Sequence, residues 1–250
     1  MSSGKTIRFN RVVARDGKTV MAALDHGIAG IAPLGSLERP DHLIPELNAA
    51  GVDALIVTPG ALRNFAGLFG KLGIVVRVDC GPTALTGDWS ENRPAVSVED
   101  ALRLGADAVI GMGIVGALGE SESLRALAKL ACECDRWGAV LVAEMLPGGF
   151  TATDCPADKI SVAARLGAEL GADIIKIRYT GSGESFRAVT GSCYRPVVVL
   201  GGSKQDPGQL VASTRDAMAA GAAGVAVGRN IWQSKEPRKT AERLVEAVHG

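Results

Sequence analysis

A single theme, repeated eight times, constrains what this chain can become: an apolar run ending in a polar residue or glycine, then a stretch with apolar residues three and four positions apart. The runs are TVMAALDHG (Thr19 to Gly27), DALIVTPG (Asp53 to Gly60), GIVVRVDCG (Gly73 to Gly81) and DAVIGMG (Asp107 to Gly113). Four more follow at AVLVAEMLP (Ala139 to Pro147), DIIKIRYTG (Asp173 to Gly181), PVVVLGG (Pro196 to Gly202) and GVAVGRN (Gly224 to Asn230). Near-continuous Val, Ile, Leu and Ala mark strands covered on both faces, as in a parallel sheet. The stretches between them read as helices; PGQLVASTRDAMAAG opens on proline and closes on glycine. Eight strand-then-helix units in 250 residues predict one α/β domain over residues 1–250, a (β/α)8 TIM barrel. A doubly wound sheet usually has fewer strands.

Such a barrel carries its chemistry at the C-terminal strand ends and the loops after them. The sixth run contains an anomaly there: Lys176 interrupts Ile174, Ile175 and Ile177. Desolvating an unpaired ammonium costs several kcal/mol, so Lys176 is paired, neutral or reactive. Side chains alternate along a strand, which places Lys176 on the lumenal face with Ile174, and Arg178 at the rim. The same alternation groups Ala23 with Asp25, Arg77 with Asp79, and Val142 with Glu144 and Leu146. Glu144 and Lys176 then lie on neighbouring strands, with Asp25 approaching from the opposite side. A structural ion cluster is the alternative, and for Arg77 with Asp79 it is the preferred reading. His26 alternates away from Asp25 and is assigned a structural or loop role. The long loop after the third run, with Trp89, reads as an ordered surface loop or a lid.

The last two runs end in LGGSK and VGRN. Glycines there let backbone N–H groups approach an anion, and Arg229 adds a fixed charge with planar donors. The loops after strands seven and eight are a common phosphate site in this fold, which predicts a phosphorylated small-molecule substrate. A lysine beside a phosphate-binding mouth suits imine chemistry: a neutral amine adds to a carbonyl, water leaves, and the protonated imine becomes an electron sink.

Composition excludes other partners. Lys and Arg number 27, as do Asp and Glu, with no basic stripe for nucleic acid or an anionic membrane. No apolar stretch approaches the roughly 18 residues of a membrane span, and the N-terminus lacks a signal-peptide core. Five scattered cysteines suit reduced thiols and a cytoplasmic location. Cys132 and Cys134 diverge on a helix, and three histidines this far apart do not gather into a zinc site. No metal or cofactor is expected.

Taken together, ALDHG, ADIIKIRYTG, GGSK and GVAVGRNIWQ resemble the archaeal-type class I aldolases. That group includes archaeal fructose-bisphosphate aldolase, aminodideoxyheptulosonate synthase and the autoinducer-processing thiolase. The resemblance spans nearly the whole barrel, with its motifs in family order. It implies that Lys176 forms the Schiff base and that Asp25 is an acid/base or orienting carboxylate. It also implies that Gly201, Gly202, Ser203, Gly228 and Arg229 cradle phosphate, and that the chain forms a homo-oligomer, in rings of five or ten. One departure stands out. Where the fructose-bisphosphate aldolases and the heptulosonate synthase have a proton-carrying tyrosine just before a proline, this chain has Leu146 before Pro147. Glu144 is the expected substitute, and Arg178 is expected to select a second anionic group. Three readings follow: a lyase acting on a phosphorylated ketose or keto compound, a Schiff-base transferase or thiolase on the same scaffold, and a phosphosugar-binding barrel without turnover. A metal-free isomerase explains the buried lysine less well.

Overall fold

The computed structural model describes residues 1–86, 92–150, 152 and 155–250. Trp89, the residue on which the lid reading turns, lies outside them. In chain order, α1 (Ser3–Val12) precedes β1 (Thr19–Ala23), α2 (Pro40–Ala49), β2 (Ala54–Val57), α3 (Pro59–Phe65) and β3 (Gly73–Arg77). A two-stranded ribbon, β4 (Asp79–Cys80) with β5 (Arg93–Pro94), leads to α4 (Val98–Arg103), β6 (Ala108–Val115), α5 (Glu120–Trp137) and β7 (Val140–Pro147). Then come α6 (Ala157–Glu169), β8 (Ile174–Ile177), α7 (Gly183–Ser192), β9 (Val197–Leu200), α8 (Pro207–Ala219), β10 (Gly224–Val227), α9 (Arg229–Trp232) and α10 (Pro237–His249).

Eight of these strands close into a barrel in the order β1-β10-β9-β8-β7-β6-β3-β2, every neighbouring pair parallel. The (β/α)8 fold is as the repeated theme predicts. Helix punctuation also follows the sequence: the Asp206 carboxylate caps α8 by accepting from the Gly208 and Gln209 N–H groups, Pro207 takes the first position, and Gly221 stops the chain at φ +93°. No helix among the described residues is long and apolar enough to cross a membrane.

The core has two layers, and strand parity sorts residues between them. Met21, Ile56, Val75, Ile110, Val142, Ile174 and Val198 fill the lumen, while Val20, Leu55, Val76, Leu141, Ile175, Ile177 and Val199 pack outward against the helices. Val12 and Val13, at the end of α1, join the lumenal layer.

The Gly-x-Asp triplets before β2, β6 and β8 do more than punctuate. Asp53, Asp107 and Asp173 each donate a backbone N–H to the preceding strand, and each carboxylate accepts a backbone N–H there: Val20 at 2.6 Å, Ile74 at 3.1 Å and Leu141 at 2.9 Å. The terminal helices supply counter-charges. Lys5 pairs with Asp173 at 3.0 Å, Arg11 with Asp107 at 3.0 Å, and His249 with Asp53 at 3.0 Å. These ties hold the N-terminal end of the barrel and leave the opposite end for the site.

Candidate active site

Regular strand geometry stops short of the functional residues. β1 ends at Ala23 and β8 at Ile177, so Asp25 sits two residues and Arg178 one residue past its strand. Asp25 takes the bridge conformation (φ −88°, ψ 2°) as the chain turns into a short 3₁₀ segment. β7 is longer and carries Glu144 and Leu146 within the sheet; its register sets Glu144 directly beside Lys176. Around these ends opens a cavity of about 1020 Å³, lined among others by Asp25, Arg77, Glu144, Lys176, Arg178 and Arg229.

The lumenal charges form one connected cluster. The Lys176 Nζ lies 2.6 Å from Glu144 Oε1, and the other Glu144 oxygen accepts from Arg77 Nη2. Arg77 also donates from Nε to Asp25 Oδ2 at 2.8 Å and from Nη1 to Asp79 Oδ1 at 3.1 Å. Asp79 Oδ2 accepts from the Met112 N–H at 2.6 Å and from the Asn92 amide. Lys176, Arg77, Asp25, Asp79 and Glu144 are all at least nine-tenths buried. Arg77 is thus more than half of a pair with Asp79: it bridges three carboxylates, Asp25 past the end of β1, Asp79 on β4 and Glu144 on β7.

Burial alone would raise the Glu144 pKa, but the Lys176 ammonium and Arg77 guanidinium outweigh it and hold the carboxyl at about 2. Burial works the same way on Asp25, and Arg77 again prevails, so Asp25 stays below the ordinary carboxylate range. Burial would disfavour the Arg77 charge; Asp25, Glu144 and Asp79 reverse that and fix it as a cation.

His26 departs from its expected place. Because β1 has ended, alternation no longer applies, and the imidazole lines the cavity with Nδ1 3.5 Å from Asp25 Oδ1. It packs edge-on to Trp232, with centroids 5.3 Å apart, and lies against Gly228, where a Cβ would come within 2.3 Å of its Cε1. Gly228 is therefore covered by the ring and is absent from the cavity wall, whereas Gly201, Gly202, Ser203 and Arg229 line it. Gly202 adopts φ +65° and faces open space, a conformation that favours glycine. Arg229 Nη2 donates to the Gly202 carbonyl at 3.1 Å, while its Nε is buried without a partner.

Asn230, which sequence reasoning did not single out, fastens this loop. Its amide donates to the carbonyls of Gly201 (2.9 Å) and Ser203 (3.0 Å) and accepts from the Gln205 N–H (2.8 Å). Lys204 is not a site cation: its ammonium donates to the Gln233 carbonyl at 2.8 Å, away from the cavity wall. Arg178 reaches the cavity with its guanidinium on the Ala152 carbonyl. Leu146 also faces the cavity, so the wall there is apolar, as the sequence implies.

Comparison with known proteins matches this arrangement to a family. A family model described as DeoC/LacD family aldolase matches residues 19–234. The chain belongs to that family. It is 37% identical over 247 residues to 2-amino-3,7-dideoxy-D-threo-hept-6-ulosonate synthase 1 of Archaeoglobus fulgidus, covering 99% of this chain and 92% of the relative. It is 34% identical over 250 residues to 2-amino-4,5-dihydroxy-6-oxo-7-(phosphonooxy)heptanoate synthase of Streptomyces griseus, covering 98% and 90%. Among solved structures, an archaeal fructose-1,6-bisphosphate aldolase with its catalytic lysine bound to the carbinolamine intermediate superposes with a TM-score of 0.89 at 29% identity, covering 98% of this chain and 100% of that one. The resemblance drawn from the motifs and the fold therefore agree: this is an aldolase-family barrel with Schiff-base aldolases among its relatives.

Proposed function

We propose that the chain is a metal-independent class I aldolase that forms an imine between Lys176 and a phosphorylated keto compound. One observation carries the reading. A buried lysine on the cavity wall has a carboxylate at 2.6 Å, so a proton acceptor stands beside the nucleophile.

The charges account for how an ionised Glu144 can serve as that acceptor. Its low pKa rests first on the Lys176 charge set against burial. As Nζ loses its proton that charge disappears, burial gains weight, and Glu144 becomes the better base at the moment one is needed. The neutral amine then attacks the carbonyl carbon. The carbinolamine loses its hydroxyl as water, using a proton from the Glu144 side; the protonated imine then accepts the electron pair of a breaking carbon–carbon bond, or, after a proton leaves the neighbouring carbon, the resulting enamine donates the pair that forms one. Asp25, held by Arg77, orients the hydroxyls around it and balances the iminium charge.

Gly201, Gly202, Ser203 and Arg229 would hold the phosphate, the Arg229 Nε being a buried donor without a protein partner. Arg178 would meet a second anionic group. The Streptomyces griseus relative is named for a product with a ketone beside a phosphorylated carbon at one end and an amino-acid carboxylate at the other. Two separate arginines in one cavity suit a compound of that type. The relatives are named as synthases, which supports condensation as the working direction.

Borohydride reduction in the presence of dihydroxyacetone phosphate, followed by peptide mass spectrometry, tests the reading. The expected result is a covalent adduct on Lys176 that the Lys176→Met variant does not form. Phosphate-dependent binding with no adduct would instead make this a phosphosugar-binding barrel, with Lys176 half of an ion pair.

A further inference from the structure

Imine chemistry in this cavity needs a group that moves a proton to and from carbon, and in the charged cluster Arg77 leaves one carboxylate oxygen open, Asp25 Oδ1, which faces His26. Both Glu144 oxygens are engaged, by Lys176 and Arg77. Asp79 accepts from Arg77, Asn92 and the Met112 N–H. Tyr179 reaches the cavity, but its hydroxyl donates to the Asp216 carboxylate. The Cys80 thiol turns to the Gly81 carbonyl at 3.6 Å. Leu146 carries no proton at all.

His26 differs from all of these. Its Nδ1 is buried, has no hydrogen-bond partner, and lies 3.5 Å from Asp25 Oδ1, the oxygen that Arg77 leaves open. The ring is held from two sides, by the Trp232 indole and by the glycine surface at position 228. A carboxylate against Nδ1 selects the tautomer with the proton on that atom and leaves Nε2, on the ring edge that flanks Gly228, as the basic nitrogen. A separation of 3.5 Å is long for a hydrogen bond, and catalytic contacts commonly tighten once substrate is bound.

Resting on the imine reading above, we propose that Asp25 and His26 form a dyad in which His26 Nε2 takes the proton from the carbon next to the imine and returns it. The C–H bond breaks and an N–H bond forms on the imidazole. The C–H electron pair becomes the enamine double bond, and the iminium π pair passes to the Lys176 nitrogen. Reversal of the same step protonates the enamine, so no further reactant is consumed. The charges facing the imidazole are Asp25 on its own segment, Glu144 on β7, Lys176 on β8 and Arg229 on α9. Burial prevails and lowers the His26 pKa, which keeps the ring neutral and basic at neutral pH.

Deuterium exchange into dihydroxyacetone phosphate in D2O, followed by proton NMR, isolates this step from any carbon–carbon bond chemistry. Wild type and His26→Gln are compared, each also trapped with borohydride. The expected result is an undiminished Lys176 adduct in the variant with exchange slowed at least about 100-fold. Wild-type exchange should fall on acidification to pH values below about 6.5, the ordinary histidine value, and the variant should lack that limb. Unchanged exchange in a variant that still forms the adduct would overturn the dyad while leaving the imine reading intact. Loss of adduct and exchange together would make His26 a packing residue and equally overturn it. No adduct in the wild type would instead defeat the imine reading itself, and the dyad with it.

Discussion

Replacing Glu144 with glutamine removes one charge from the cluster while keeping the shape of the side chain. The ordinary glutamate value of 4.5 falls to about 2 in the folded protein. At about 1.4 kcal/mol per pH unit, that depression corresponds to roughly 3 kcal/mol of stability at neutral pH. The figure agrees in size with the roughly 3–5 kcal/mol lost when one partner of a buried ion pair is removed. Because the folded-state pKa is the lower one, this contribution is fully present above the unfolded value and is lost as pH falls through the folded one. Urea unfolding of wild type and Glu144→Gln should therefore differ by about 3 kcal/mol at pH 7, with less than about half of that remaining at pH 3. In parallel, formation of the Lys176 adduct should slow, and turnover with it, by roughly 100-fold or more. A difference below about 1 kcal/mol at pH 7, or one that does not shrink with acid, would refute the electrostatic account. Unchanged turnover would remove Glu144 from the mechanism.

Two further outcomes follow from other contacts. His249 joins Asp16 at 2.7 Å and Asp53 at 3.0 Å; burial opposes its charge, but the two carboxylates prevail and raise its pKa. A raised folded-state pKa gives stability below the unfolded value near 6.5 that is lost as pH rises through the folded one, so wild type should exceed His249→Gln by up to about 1 kcal/mol at pH 6 and converge with it in alkali. Urea midpoints across that range decide it; an advantage that grows with pH would be the wrong sign. Arg178→Ala should weaken KM about tenfold or more for a substrate with a second anionic group and leave singly phosphorylated compounds near wild type. Equal losses for both would assign Arg178 to the loop through Ala152 instead.

The period-two pattern places Lys176, Glu144 and Arg77 on one lumenal surface, because parity survives wherever a strand is regular. It failed at His26, where β1 had already ended and the next residues turned into a 3₁₀ segment. The role of Arg77 was hidden for another reason. Asp79 is two residues away, but the other two partners, Asp25 and Glu144, come from strands that are not its neighbours: β2 lies between β3 and β1, and β6 lies between β3 and β7. Only the closed barrel brings them within reach of one guanidinium. Asn230 escaped notice because an asparagine in a short helix looks like any other, and its three partners are 25 to 29 residues earlier in the chain. The sequence reading puts Gly228 in the phosphate cradle; in the fold the His26 imidazole, turning in past the end of β1, covers it and takes it out of the cavity wall.

The aspartate ties at the lower rim have a consequence for how such a molecule can be taken apart. They occur before β2, β6 and β8, that is, on every second barrel strand, and the corresponding position before β10 is Ala223, which keeps the backbone bond to Val197 but has no carboxylate to add. The repeating unit is therefore two strands with their helices, and four such modules make the ring. Each aspartate fastens together the two strands of its own module, and among the described residues the joints between modules carry no side-chain tie of this kind. Those joints are where a barrel like this one can be cut, permuted or recombined with a relative while each exchanged piece keeps its own fastening, and the last module is the one that would have to be given a fastening by design.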